Sequence, residues 1–277
     1  MNFPFDLLIE FAKLKMVNKI NFNNMAKKIA KIYIGTSGWA YDHWQGIFYP
    51  KDLPPKNRLK YFSQHFKTVE INYSFYQSPK TSTYQEWFRQ TPPDFLFSLK
   101  ASRFITHIKR LKEVRTPWRN FLKGAILLKQ KLGPILLQFP PSFRASQENI
   151  ERLEKFLKYA PLNKKGEKIC LALEFRHLTW FQKSIYQLLK RYNVAWVIAD
   201  SNRYPKDDQV TADFAYIRMH GPDALFSSKY TKKDLISLAK KIKRWQKECS
   251  FIYCYFNNDF HGYALANAKE LLEILKN

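Results

Sequence analysis

LALEFRHLTWF, residues 171–181, begins as a core strand and ends in charge. Leu171, Leu173 and Phe175 alternate with Ala172, Glu174 and Arg176, and His177 follows at once. Successive side chains of a strand point to opposite faces, so this period of two places the apolar residues on one face and the carboxylate and guanidinium together on the other. Burying unpaired charge costs several kcal/mol or shifts the pKa of the group. A strand with such an end carries either a structural ion-pair network or a working site.

Seven further stretches read as strands: KIYIGTS, TVEINYS, FLFSLKA, PILLQF, AWVIAD, AYIRMH and IYCYFN. Helix-like runs lie between most of them. NRLKYFSQHF puts Leu59, Phe62 and Phe66 on one face, and SQENIERLEKFLKYA does the same with Ile150, Leu153 and Leu157 behind Ser146 as N-cap. Thr179 with Gln182, and Thr231 with Asp234, have the spacing of capping boxes. The last helix buries Leu265, Ala268, Leu272 and Leu275. SNRYPKDDQVTAD, between the sixth and seventh strands, has no clear helix. Eight strands alternating with helices predict parallel βαβ units, and about 250 residues of them predict closure into a single-domain TIM-type (β/α)8 barrel.

In that fold the mouth at the C-terminal strand ends carries the chemistry. Seven of the eight predicted strands end in a strongly polar or ionisable residue, while the first ends in Gly35, Ser37 and Gly38. The second gives Glu70 and Asn72, the third Lys100, the fourth Gln138, the fifth Glu174 and Arg176. The sixth ends at Asp200, the seventh gives Arg218 and His220, and the eighth Asn257, Asn258 and Asp259. These residues are expected to ring one pocket. Glu174 with Arg176, or Glu70 with Lys100, are alternatively satisfied ion pairs that support the barrel, and His177 and His220 are alternatively hydrogen-bonded core histidines. Two loops add candidates. GTSGWAYDHWQGIFYP packs Trp39, Tyr41, Trp44, Phe48 and Tyr49 into the first βα loop, either to stack on a ring or to plug the mouth. KASRFITHIKRL sets Arg103 and His107 just past Lys100, either as a set suited to an anion or as a solvated loop.

The remaining composition bounds the class. The chain has 277 residues, 45% of them hydrophobic, which suits a globular protein with a sizeable core. No apolar run reaches the ~18–20 residues that span a bilayer. Cys170, Cys249 and Cys254 are an odd set without metal-ligand spacing, and the first stretch is a poor signal peptide, so a cytoplasmic setting without a membrane role is expected. Residues 1–30 are set apart as an N-terminal extension, helical over 5–16, and residues 31–277 as the barrel. The extension reads either as a partly disordered appendage, with residues 1–24 loosely attached, or as the product of a start upstream of Met25. Lys and Arg number 47 against 23 acidic residues, a net charge of +24. Such a charge suits a polyanion, although much of it lies on the solvated faces of helices such as TKKDLISLAKKIKRWQKE.

Together these stretches resemble the domain-of-unknown-function 72, or YecE-like, family. The matching motifs are GTSGWAYDHWQGIFYP, VEINYSFY, FSLKASRFITH, LLQFPPSF, LEFRH, YIRMHG and YFNNDFHGYALANA, spread over about residues 32–275. Tyr76 enters as a site candidate within the second motif, and Gly221 is a matching residue of the sixth. The resemblance implies a TIM barrel with its site at these residues, and implies no reaction.

Three functions fit the residues. In the first, an enzyme acts on an anionic, phosphorylated or sugar-like compound. Lys100, Arg176 and Arg218 bind the anion, Glu70 and Glu174 serve as general bases and His220 as acid. Lys100 as a Schiff-base amine is a variant of it. The second is a metal-dependent phosphodiesterase or isomerase drawing a divalent ion to Glu70, Glu174, Asp200, His220 and Asp259, against which Lys100, Arg176 and Arg218 would act; no cofactor is otherwise expected. The third is a nucleic-acid-binding barrel. Oligomeric state is open.

Overall fold

In a computed structural model of the chain, residues 30–162 and 166–276 are described. The expectations for residues 1–24 and for a helix over 5–16 lie outside them. Eight strands follow in order: β1 Lys31–Thr36, β2 Thr68–Ile71, β3 Leu96–Lys100, β4 Leu132–Gln138, β5 Leu171–Glu174, β6 Ala195–Asp200, β7 Phe214–Met219 and β8 Phe251–Phe256. All pair in parallel, in the order β1-β8-β7-β6-β5-β4-β3-β2. The open edges β1 and β2 meet at their C-terminal ends, where Ser37 bridges Glu70 and the Gly38 N–H donates to the Glu70 carbonyl at 2.8 Å. The result is the nearly closed (β/α)8 barrel that the strand count implies.

Closure depends on one missing side chain. A Cβ on Gly35 would stand 2.2 Å from the Thr68 carbonyl oxygen, so only glycine lets β1 approach β2 this closely.

The helices are α1 Arg58–His65, α2 Tyr73–Tyr76 (a single turn), α3 Thr81–Gln90, α4 Arg115–Ala125, α5 Gln147–Leu157, α6 Lys183–Arg191, α7 Lys232–Trp245 and α8 Tyr263–Lys276. Their apolar stripes pack on the outer faces of the strands: Leu59 and Phe62 in α1, Leu153 and Leu157 in α5, Leu235, Leu238, Ala239 and Ile242 in α7. Ser146 caps α5, and Thr231 with Asp234 forms the expected capping box on α7. The second expected box does not form. Thr179 Oγ1 instead accepts from the Ala145 N–H at 2.8 Å, and α6 begins only at Lys183. No helix follows β6. Residues 201–213 cross to β7 as a loop tied down by Lys206 on Asp200 at 2.5 Å and Lys241 on Asp208 at 2.8 Å.

The lumen has its own apolar layer, formed by Leu136, Ala172, Ala195, Val197, Phe214, Tyr216, Tyr253 and Tyr255. These residues share strand parity with the polar ends above them: Ala172 with Glu174, Phe214 and Tyr216 with Arg218, Leu136 with Gln138. The stretch 171–181 thus turns its charges into the barrel and packs Leu171, Leu173 and Phe175 on the helices. No helix among the described residues is long and apolar enough to cross a membrane.

Candidate active site

Arg218 stands at the centre of the mouth with 1% of its side chain exposed. Its Nε and Nη2 donate to the two oxygens of Glu70 at 2.9 and 2.7 Å, a bidentate pairing, and its Nη1 donates to Glu174 at 2.5 Å. One guanidinium on β7 therefore joins β2 and β5 across the lumen. Glu70 is fully buried and accepts further from Ser37 Oγ and from Tyr216 Oη. Burial pushes its carboxyl pKa up, but Arg218 and the hydrogen bonds from Arg218, Ser37 and Tyr216 outweigh that and hold it below the usual range. Glu174 also accepts from Arg176 Nε at 2.6 Å. Burial opposes its ionisation too, yet Arg176 and Arg218 keep it well below the usual range. Glu70 and Glu174 are thus committed carboxylates, and Arg218 is spent on them.

His220 lies above Arg218 on the same strand face. Asn257 Nδ2 is 3.1 Å from its Nδ1, while Arg218 Nη1, which can only donate, lies 3.4 Å from its Nε2 and Glu174 3.8 Å from the same nitrogen, surroundings that disfavour a charged ring. Burial first and Arg218 second lower its pKa.

Lys100 is the exception in this balanced set. Its Nζ donates to Gln138 Oε1 at 2.8 Å and sits 4.1 Å over the Phe75 ring, and no carboxylate among the described residues forms an ion pair with it. Burial, then Arg218, bring its pKa down to about 7. Gln138 Nε2 lies 3.4 Å from His107 Nε2. His107 falls to about 4, through burial and then through Lys100, Arg176, Arg103 and Arg110. Arg176 lies 4.3 Å over the Tyr204 ring and keeps 11% of its side chain exposed. Asn72 donates to Ser37 Oγ at 2.7 Å, and its buried Oδ1 has no partner among the described residues.

Several expected site residues stand elsewhere. Asp200 shares parity with Ile198, so it faces the helix layer and binds Lys206 rather than entering the ring. Asn258 is fully buried and donates to Ser228 O and Asn267 Oδ1, which fixes the last two loops. His177 turns its Nδ1 to the Thr179 N–H at 3.2 Å and caps a short turn. Trp44 is fully buried against Phe48, Tyr49 and Phe62, and Trp39 packs edge-on to Trp87, so most of the first-loop aromatics are core. Tyr41 stays at the mouth, its hydroxyl donating to Ser37 O at 2.5 Å. Tyr76 projects from α2, 69% exposed. Asp259 latches the first and last loops, accepting from Trp44 Nε1 at 3.0 Å and pairing with His43 at 2.9 Å; burial lifts it to about 6 against the pull of His43. The expected Glu70–Lys100 pair is replaced by Glu70–Arg218. Among the described residues no three His, Cys, Asp or Glu side chains cluster as a metal-binding set, and Glu70 and Glu174 already hold guanidinium where a cation would sit. Tyr216, Phe75, Tyr204 and Arg110 complete the site without having stood out in the sequence, and Ser37, noted there only at the end of the first strand, joins them. Only period-two counting back from Arg218 would have found Tyr216.

Residues 33–277 match the model of the family described as "Protein of unknown function DUF72". The chain belongs to that family. The DUF72 chain is 28% identical over 275 residues to the UPF0759 protein YunF of Bacillus subtilis (strain 168), covering 88% of this chain and 94% of that one. A DUF72 family protein of Thermotoga maritima MSB8 superimposes with a TM-score of 0.79 at 30% identity, over 89% of this chain and 100% of the other. A DUF72 family protein of Enterococcus faecalis V583 shares the fold, with a TM-score of 0.74 at 22% identity over 89% of this chain and 96% of that one.

Proposed function

We propose that the mouth is the active site of an enzyme acting on a small anionic, phosphorylated or sugar-like compound. The observation that carries this is the unbalanced charge on the β3–β5 side. Lys100, Arg103, Arg110 and Arg176 all act on His107, and Glu174, the one carboxylate among the described residues that pairs with Arg176, is already shared with Arg218. A site with spare cationic donors and no spare carboxylate suits an anion. The Asn72 Oδ1 offers a lone acceptor to a hydroxyl of the same ligand.

Lys100 is the reactive group in this reading. An amine with a pKa of about 7 exists in both protonation states at neutral pH, which suits proton transfer. Glu70 and Glu174 do not serve as bases here; they hold Arg218 and Arg176 in place. His220, whose Nε2 lies between Arg218 Nη1 and Glu174, is the second proton carrier.

Isothermal titration against a panel of sugar phosphates and small carboxylates tests this. Arg176→Ala is expected to weaken the binding of the responsive compound by about tenfold to a hundredfold, the worth of one charged hydrogen bond of about 1.5–3 kcal/mol. The melting temperature should change little, since Arg218 still compensates Glu174. A large loss of stability repaired by Glu174→Gln, with binding unaltered, would reduce Arg176 to a structural ion pair.

A further inference from the structure

A second recess opens on the opposite side of the mouth. It is a cavity of about 570 Å3 between the loops that follow β1, β7 and β8. Tyr41, Ile47, Phe226, Phe260 and His261 form its walls, and Asn257 stands among them. Its apolar surface is open to solvent: Ile47 is 68%, Phe260 60% and Phe226 40% exposed. Large apolar side chains left in water around a concavity mark a binding surface.

The backbone is strained at the same place. Phe226 and His261 adopt φ of 67° and 60°, the left-handed region that bulky side chains avoid. Strain of this kind is held where the surrounding structure fixes a functional geometry. The Phe226 N–H donates to the His220 carbonyl at 2.6 Å, and the Phe226 ring stands edge-on to the His220 imidazole, centroids 5.5 Å apart. Asn257 gives its Nδ2 to His220, which leaves its Oδ1 to accept from whatever enters. His220 in turn reaches Glu174 and Arg218. A single buried imidazole therefore stands between the recess and the charged mouth.

The walls suit a flat ring and the Asn257 amide suits a ring that carries N–H groups on its edge. A saturated sugar alone would use the acceptor but gain less from the rings. We propose that this recess takes the heteroaromatic ring of a nucleotide-like ligand whose anionic group lies at Lys100 and Arg176. This rests on the reading of the mouth as an anion site and names the rest of its substrate.

Adenosine monophosphate, ribose 5-phosphate and adenosine separate the two ideas. By isothermal titration, wild-type protein should bind adenosine monophosphate about tenfold or more tightly than ribose 5-phosphate, the order expected for one stacked base. Phe260→Ala, at a 60% exposed position, should remove that preference and leave ribose 5-phosphate unchanged, and Phe260→Tyr should restore it. Equal affinities in the wild type, or a preference that survives Phe260→Ala, would overturn the ring site while leaving the anion site standing. If neither phosphate compound binds, the anion site falls, and adenosine decides the recess by ligand-observed NMR. Saturation transfer to the adenine protons that is lost in Phe260→Ala supports it, and no transfer in the wild type rejects it.

Discussion

Lys100 shows what a single residue contributes when its neighbours are fixed. Its amine is depressed from 10.5 to about 7, so between those values the unfolded chain holds a proton that the folded chain has released. Stability must then rise with pH across that window, by at most about 1.4 kcal/mol per pH unit from this group. Below pH 7 the cost of the buried charge is fully present and constant. Lys100→Met removes the titration but keeps an unbranched side chain over Phe75. Urea denaturation of both proteins from pH 6.5 to 9.5 should show the variant ahead at the acid end, with its advantage shrinking as pH rises. Parallel curves would mean that the amine titrates normally. Glu174, Arg176 and Lys100 were legible because each sits at an even step from small or apolar residues of obvious parity. Asp200 was not. In AWVIAD both faces are apolar, so nothing in the sequence says which one looks inward. Arg218 was found, but its double engagement was hidden, because the carboxylates that meet it come from strands 148 and 44 residues away and their heights follow from the stagger of the barrel.

At the scale of elements, the close approach of β1 and β2 rests on Gly35. Gly35→Ala places a methyl group against the Thr68 carbonyl, which cannot move without opening the β2–β3 ladder. The expected loss is about 1–3 kcal/mol in chemical denaturation, the usual cost of overpacking. A neutral substitution would show that the two edges have slack. Strand ladders and most helices could be read from periodicity, because alternation of two and stripes of 3.6 follow directly from backbone geometry. The capping box at Thr231 was readable for the same local reason. The one at Thr179 failed because the Ala145 N–H, from another loop, competes for its hydroxyl. The stretch after β6 read as helix-free and is so; its Asp and Lys side chains fasten it to neighbouring elements instead.

For the whole molecule the decisive tie is Glu70–Arg218–Glu174, which spans the lumen from β2 through β7 to β5. Removing one partner of a buried ion pair costs about 3–5 kcal/mol because the other charge is stranded. Arg218→Met strands Glu70 with only hydroxyl donors, so the cost should reach that range in chemical denaturation. Adding Glu70→Gln should recover part of it. A mild effect of Arg218→Met alone, or no recovery in the double variant, would mean that Ser37 and Tyr216 suffice to hold the carboxylate.

Seven ladders lay the strands side by side, and the eighth seam has only the bridge at Ser37 and Glu70. In an unrolled sheet β2 would be an outer edge, with four strands between it and Arg218 on β7. Glu70 can reach that guanidinium only once the sheet has curled shut. The site is thus a product of the last act of assembly, and a ligand that recognises the finished ring draws every half-closed chain toward it by mass action. A molecule bound across that mouth would double as the clasp.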